Sequence, residues 1–203
     1  MIKSWLFEFF HQPHDPQMRS DPGAVNDHFH WYIDLWTRAD ARNFEGIFFS
    51  EHHFGAAYSP SPNLLVSHVA ARTTRLRLGV LGSVTPYATP WRVVEEIAML
   101  DHLTNGRLEI GVVSGIPPEL AVVGITPDVA AGRHAEIIDV LDAALRDRVI
   151  SHHGVHWRFD DLEILPRCLQ QPSPPIWTAV RSAESAERAG RRGWKACGGF
   201  LSA

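Results

Sequence analysis

The chain has 203 residues, a formal net charge of −4 at pH 7, and a composition that is 45% hydrophobic and 21% charged. That length suffices for one sizeable core and sets residues 1–203 as a single domain, while the composition excludes a disordered chain. The acidic balance offers no basic patch for nucleic acid, and apolar runs such as Leu78–Val84 are too short to span a bilayer.

The N-terminus, Met1 to Phe7, carries one Lys before a short apolar run and lacks a small-residue cleavage site, so it reads as a first strand and not as a signal peptide. Two cysteines, Cys168 and Cys197, are too few for a disulfide framework. The expectation is a reduced, cytoplasmic enzyme.

Ile2–Phe10 is apolar and aromatic, as a buried first strand requires. A turn-rich stretch from Gln12 to Gly23 follows, and then a helix from Asn26 to about Arg42, with Phe29, Ile33 and Trp36 near helical spacing. Gly46–Ser50 is a second strand and runs directly into Glu51-His52-His53-Phe54. A helix from Leu64 to about Thr73 leads to a third strand, Leu76–Leu81. Pro90 starts the helix Trp91–Leu103, which Asn105-Gly106 stops.

Arg107–Val113 is a fourth strand, ended by Ser114-Gly115. An irregular segment with Pro117, Pro118 and Pro127 precedes a helix from about Asp128 to Asp147. Val149–Leu165 alternates as a hairpin outside the main repeat. Ile176–Val180 is a fifth strand, Ser182–Gly190 a short helix and Trp194–Cys197 a sixth strand. Strands separated by helices imply parallel βαβ units. No dinucleotide glycine fingerprint or phosphate-binding loop occurs, so the pattern favours an α/β fold of the (β/α)8-barrel type with six of its eight units.

In such barrels functional groups project from the C-terminal ends of strands. Glu51, His52 and His53 follow strand two, Gly82 and Ser83 end strand three, Ser114 and Gly115 end strand four, and Arg181, Ser182 and Ser185 open the helix after strand five. Glu51-His52-His53 reads either as a proton-handling group or as a solvated loop. Arg181-Ser182-Ala183-Glu184 reads either as a helix-capping pattern or as an anion site at a helix N-terminus. Adjacent histidines of a strand point to opposite faces, and no H-E-x-x-H spacing occurs, so no metal site is expected. His152, His153 and His156 read as surface histidines of the hairpin, and His11, His14, His28 and His30 likewise.

Several segments together resemble the bacterial luciferase-like monooxygenase family. They are Ser50-Glu51-His52-His53-Phe54, the stretch Ala70 to Gly79, Thr85-Pro86-Tyr87-Ala88-Thr89-Pro90, Glu95 to Arg107, and Pro175 to Ser185. The resemblance implies a flavin at the C-terminal mouth of the barrel. It implies His52 as the residue supporting the chemistry of the reduced flavin, with Glu51 orienting it or the flavin, and His53 and Phe54 at the substrate pocket. Leu81 and Gly82 would line the flavin, in the family sometimes across a non-proline cis peptide. The phosphate would be held by Ser182 and Ser185. Ser114 stands where the family has an Arg, and Arg181 where it has an acidic residue; Arg181 could substitute electrostatically.

The family's relatives continue through two further strands, so the chain resembles a C-terminally short member. What the resemblance implies is a monooxygenase using reduced FMN from a separate flavin reductase, O2 and a small organic substrate, and working as a homo- or heterodimer. The alternatives are an F420-dependent oxidoreductase of the same scaffold and a truncated, non-catalytic flavin-binding or partner subunit.

Overall fold

The computed structural model describes residues 3–55 and 57–198. Six parallel strands form one sheet: β1 (Trp5–Glu8), β2 (Gly46–Phe49), β3 (Arg77–Val80), β5 (Leu108–Val113), β8 (Ile176–Ala179) and β9 (Lys195–Cys197), hydrogen-bonded in that order. A short strand, β4 (Ser83–Val84), continues the β3 segment and pairs with β5 in parallel. These are the six barrel strands read from the sequence. The first is shorter than expected, and Ile2 lies outside the described residues.

The sheet is strongly curled. Trp5 on β1 and Trp177 on β8 stand four positions apart in the strand order, which in a flat sheet is roughly 19 Å, yet their ring centroids are 5.9 Å apart. Trp5 also stacks on Phe48 at 4.9 Å, and Phe48 meets Trp177 edge-on at 5.2 Å. Alternation along the strands thus puts Trp5, Phe48 and Trp177 on the concave inner face. Ile47, Phe49, Leu78, Leu108, Ile110 and Val112 alternate with the inner-face residues and join the core. Close approach across the inner face explains Gly111, where an added Cβ would lie 2.9 Å from the Leu81 Cα.

Helices supply the outer layer. α1 (Pro16–Ser20) and α2 (Pro22–Arg38) follow β1; α3 (Pro62–Ala70) follows β2; α4 (Pro90–Leu103) follows β4. α5 (Pro117–Val122) and α6 (Pro127–Arg146) lie between β5 and an antiparallel hairpin, β6 (Val149–His153) with β7 (Arg158–Glu163), and α7 (Ala183–Arg191) joins β8 to β9. Each long helix buries one stripe, for example Leu65, Val66, Val69 and Ala70 of α3, or Ile137, Ile138, Val140, Leu141 and Ala144 of α6. The hairpin and the stop at Asn105 and Gly106, both with positive φ, agree with the sequence reading.

Three expectations are corrected. The helix after β1 starts at Pro22 and not at Asn26, because the Asp21 carboxylate accepts the N–H groups of Gly23 and Ala24 and Pro22 occupies the first turn. The proline-bracketed segment after β5 is not irregular throughout but contains α5. Among the histidines read as surface residues, His152 and His156 are half-buried, and so is His28, which stacks on Phe10 at 5.5 Å.

Glu136 of α6 accounts for His152 and His156. Its carboxylate accepts the N–H groups of Val155 (2.7 Å), His156 (3.0 Å) and Trp157 (3.1 Å), and the His152 imidazole at 3.0 Å, pinning the hairpin turn to the helix. Burial alone would raise its pKa. The His152 bond and the three backbone donors outweigh that and lower it from 4.5 to about 2. A folded-state pKa below the unfolded one gives stability that is present above pH 4.5 and lost as pH falls toward 2. Glu136→Ala is therefore expected to cost about 3 kcal/mol at neutral pH. In urea melts that gap should narrow steadily as the pH drops; a gap independent of pH would refute the assignment.

Candidate active site

β2 is buried along its whole length, and the chain leaves its C-terminal end as Ser50-Glu51-His52-His53. Ser50 is buried, and the next three side chains are half-buried at the mouth of the sheet. The two histidines do not share a partner. His52 Nδ1 lies 3.0 Å from Glu119 Oε1, and His53 Nε2 lies 3.1 Å from Glu51 Oε1. Glu51 uses its second oxygen to accept the Val84 N–H at 3.0 Å. The carboxylate beside His52 is thus Glu119 of α5, while Glu51 holds His53 and the start of the next loop.

An ionised carboxylate only accepts, so Nδ1–H of His52 donates to Glu119, and whenever the ring is neutral its lone pair is on Nε2. His53 donates from Nε2. Its pKa is raised, first by the hydrogen bond to Glu51, against the opposing effect of burial, and further by the charges of Glu51 and Glu119.

The peptide between Leu81 and Gly82 is cis, and the segment after it carries Thr85-Pro86-Tyr87 back over the histidines. Thr85 Oγ1 stands 3.3 Å from the Val113 carbonyl and 2.7 Å from His134 Nδ1. Burial, aided by Arg192, lowers the His134 pKa to about 4 and so keeps that ring neutral at pH 7. Arg133 adds a bond to the Pro86 carbonyl at 3.2 Å. α6 thereby fixes the loop that delivers Tyr87, whose ring meets His53 edge-on at 4.9 Å. Tyr87 Oη is the one buried side-chain polar atom without a hydrogen-bond partner among the described residues. Its pKa is raised by burial and by the charges of Glu119 and Glu51, so it stays a phenol.

Just past the end of β1, Phe9 stacks on His52 at 5.8 Å and on His11 at 5.3 Å. Phe7 and Phe9 are 47% and 42% exposed, which leaves an accessible apolar wall beside the histidines. Phe54 is exposed, has φ 60° and lies against His53 at 5.6 Å.

The remaining residues singled out in the sequence form a separate group. Ser182 caps α7 and makes a capping box with Ser185: Ser185 N–H donates to Ser182 Oγ at 3.2 Å, and Ser182 N–H to Ser185 Oγ at 3.0 Å. Arg181 N–H also donates to Ser185 Oγ, at 3.1 Å, and the Arg181 side chain is exposed. Ser114 is exposed after β5. None of the hydrogen bonds of Arg181, Ser182 or Ser185 among the described residues reaches the histidine pair. Glu119 and Tyr87 were not found from the sequence: one lies in a proline-rich stretch, the other in a loop whose path depends on α6.

The (β/α)8-type sheet agrees with what the chain is similar to. The luciferase-like monooxygenase family profile matches residues 5–196. This chain belongs to the luciferase-like monooxygenase family. It is 34% identical over 165 residues to the oxygenase component of a flavin-dependent trigonelline monooxygenase from Acinetobacter baylyi, covering 79% of this chain and 46% of that protein. The chain thus spans about half the length of the curated relatives it matches.

Among solved structures, the monooxygenase RslO1 from Streptomyces bottropensis superposes with a TM-score of 0.83 at 28% identity, covering 94% of this chain and 58% of that one. The oxygenating constituent of 3,6-diketocamphane monooxygenase from Pseudomonas putida, solved with FMN, superposes with a TM-score of 0.77 at 19% identity, covering 98% and 57%, and shows the shared fold. No described helix of this luciferase-like chain is long and apolar enough to cross a membrane.

Proposed function

We propose that this luciferase-like chain carries the active site of a flavin-dependent monooxygenase that uses reduced FMN and O2 on a small organic substrate. The observation that carries the reading is the His52–Glu119 pair at the sheet mouth, with the His52 Nε2 lone pair free to take or return a proton. The donor set fits a flavin: Phe7 and Phe9 offer an apolar wall to a flat ring, and the unpartnered Tyr87 hydroxyl awaits an acceptor. Leu81 and Gly82 would line the ring. The start of α7, with Arg181, Ser182 and Ser185, and Ser114 after the neighbouring strand β5 would hold the phosphate, since a capped helix N-terminus still presents free N–H groups and a partial positive charge.

Bound reduced FMN supplies the electrons that activate O2. The chain's own part is to bind the ring, exclude water with the Tyr87 loop, and move a proton at His52 Nε2 while Glu119 steadies the imidazolium. Glu51 orients His53 and ties it to the backbone at Val84, so that His53 and Phe54 border the substrate. The reduced FMN comes from a separate reductase, in the cytoplasm, and the working unit is a dimer.

Anaerobic titration with reduced FMN, followed by flavin fluorescence, is expected to saturate at one flavin per chain. Saturation by F420 with no response to FMN would replace oxygenation by hydride transfer, and silence toward both would sink the flavin reading.

A further inference from the structure

Beside the histidine pair, on the β1 side of the mouth, lies a solvent-open pocket of about 320 Å³ lined by His11, Gln12, Pro13, His14 and Arg19. No carboxylate lines it. The nearby acids of the same segment are spent on backbone caps: Asp15 accepts the Gln17 N–H at 2.8 Å, and Asp21 those of Gly23 at 2.8 Å and Ala24 at 3.4 Å. Among the described residues Arg19 enters no salt bridge. An arginine is permanently charged, so the pocket presents a fixed cation with two imidazoles and a side-chain amide around it.

The pocket is held against the reacting groups. The Gln12 amide donates to the Gly55 carbonyl, Tyr58 N–H donates to the Phe10 carbonyl at 2.9 Å, and His11 bridges to Ala57. Its walls are therefore stitched to the same loop that carries His52 and His53. His28 Nε2 bonds the His11 carbonyl at 3.1 Å and fixes the wall from α2. The Phe9 ring stands between His11 and His52, stacked on both. His11 belongs both to the pocket and to this stack, so a molecule anchored at Arg19 and passing the edge of Phe9 would extend toward His52.

We propose that the organic substrate carries a carboxylate that docks on Arg19, with His11, His14 and Gln12 as further donors, while the part to be oxygenated reaches past the edge of Phe9 toward His52. This assignment rests on the monooxygenase reading and names its substrate class. A guanidinium holds a carboxylate through two parallel hydrogen bonds, which sets the distance between the anchored end and the reacting end. The other anion a flavoenzyme must hold is the cofactor's own phosphate, and the two sources separate by experiment.

Benzoate and its neutral counterpart benzamide would be titrated calorimetrically into the wild-type chain, Arg19→Ala and Arg19→Lys, with FMN and riboflavin affinities measured on the same samples. Arg19 is exposed, so the variants keep the fold, which circular dichroism verifies. Benzoate is expected to bind the wild type, to weaken at least tenfold in Arg19→Ala and to recover in part in Arg19→Lys. Benzamide should bind no better than benzoate does to Arg19→Ala, and FMN affinity should be unchanged. Equal benzoate affinity in all three proteins, or no binding to the wild type, overturns the proposal. Weakened FMN with unaltered riboflavin in Arg19→Ala also overturns it, by assigning the pocket to the phosphate. Arg19-dependent benzoate binding in a chain that ignores reduced FMN keeps the carboxylate pocket and removes the monooxygenase reading instead.

Discussion

His52→Ala is expected to lower the rate of substrate oxygenation by about 10²- to 10⁴-fold, the range that a positioned acid–base group contributes. Reduced FMN affinity should change little, because the contacts proposed for the cofactor, Phe7, Phe9 and the start of α7, do not include His52. The geometry also predicts how Glu119 behaves. It stands behind Nδ1, 3.0 Å away, so under the proposed mechanism it orients the ring that moves the proton. Glu119→Gln keeps an acceptor and should lose less rate than Glu119→Ala. Stopped-flow kinetics with saturating reduced FMN would measure both. A His52→Ala protein within threefold of wild type would show that the proton moves elsewhere.

The largest expected loss of stability lies at the other end of the barrel. Glu109 of β5 is 2% exposed, and its carboxylate is bonded by Arg77 of β3, by Trp177 Nε1 of β8 at 2.5 Å and by Lys195 of β9 at 3.2 Å. Lys195 lies 4.7 Å over the Trp177 ring as well. One carboxylate thus ties four strands together on the inner face. Glu109→Ala would leave the partly buried Arg77 and Lys195 without their shared counter-charge and the half-buried Trp177 indole N–H without an acceptor. Breaking a buried pair in this way costs about 3–5 kcal/mol, which for a chain of this size lowers Tm by on the order of 10 °C. Glu109→Gln keeps the indole bond and should cost less. Thermal unfolding by circular dichroism would read both, and a loss under about 1 kcal/mol for Glu109→Ala would contradict the ledger of contacts around it.

Much of the fold was legible in the chain because its punctuation is strong. Pro90 at a helix start and Asn105-Gly106 at a helix end each have one economical backbone reading, and six short apolar runs between helices allow little besides a parallel sheet. The start at Pro22 instead of Asn26 follows from Pro22 itself, whose fixed φ suits a first helical turn and lets Asp21 cap it earlier than the apolar spacing suggests. The role of Glu109 was not legible: parallel strands buried on both faces read as continuous apolar runs, so nothing in Arg107–Val113 says which side its one acid faces. The candidate site was legible only in part. Glu51, His52 and His53 stood out by adjacency, but their partners lie far along the chain, Glu119 being 67 residues from His52. Tyr87 required knowing that His134 and Arg133 of α6 fold its loop back. The serines at α7 showed the opposite ambiguity, since the same hydroxyls that would hold a phosphate satisfy a capping box.

The measurement that tests the central claim most directly is isotope incorporation under ¹⁸O2, with reduced FMN and a probe set of decanal, cyclohexanone and 4-hydroxybenzoate. A monooxygenase transfers one oxygen atom of O2 to the organic product and releases the other as water, with FMN returned oxidised. One ¹⁸O atom is expected in the product of at least one probe, lost in His52→Ala while reduced FMN still binds. Product without ¹⁸O, or ¹⁸O incorporation that persists undiminished in His52→Ala, would contradict it.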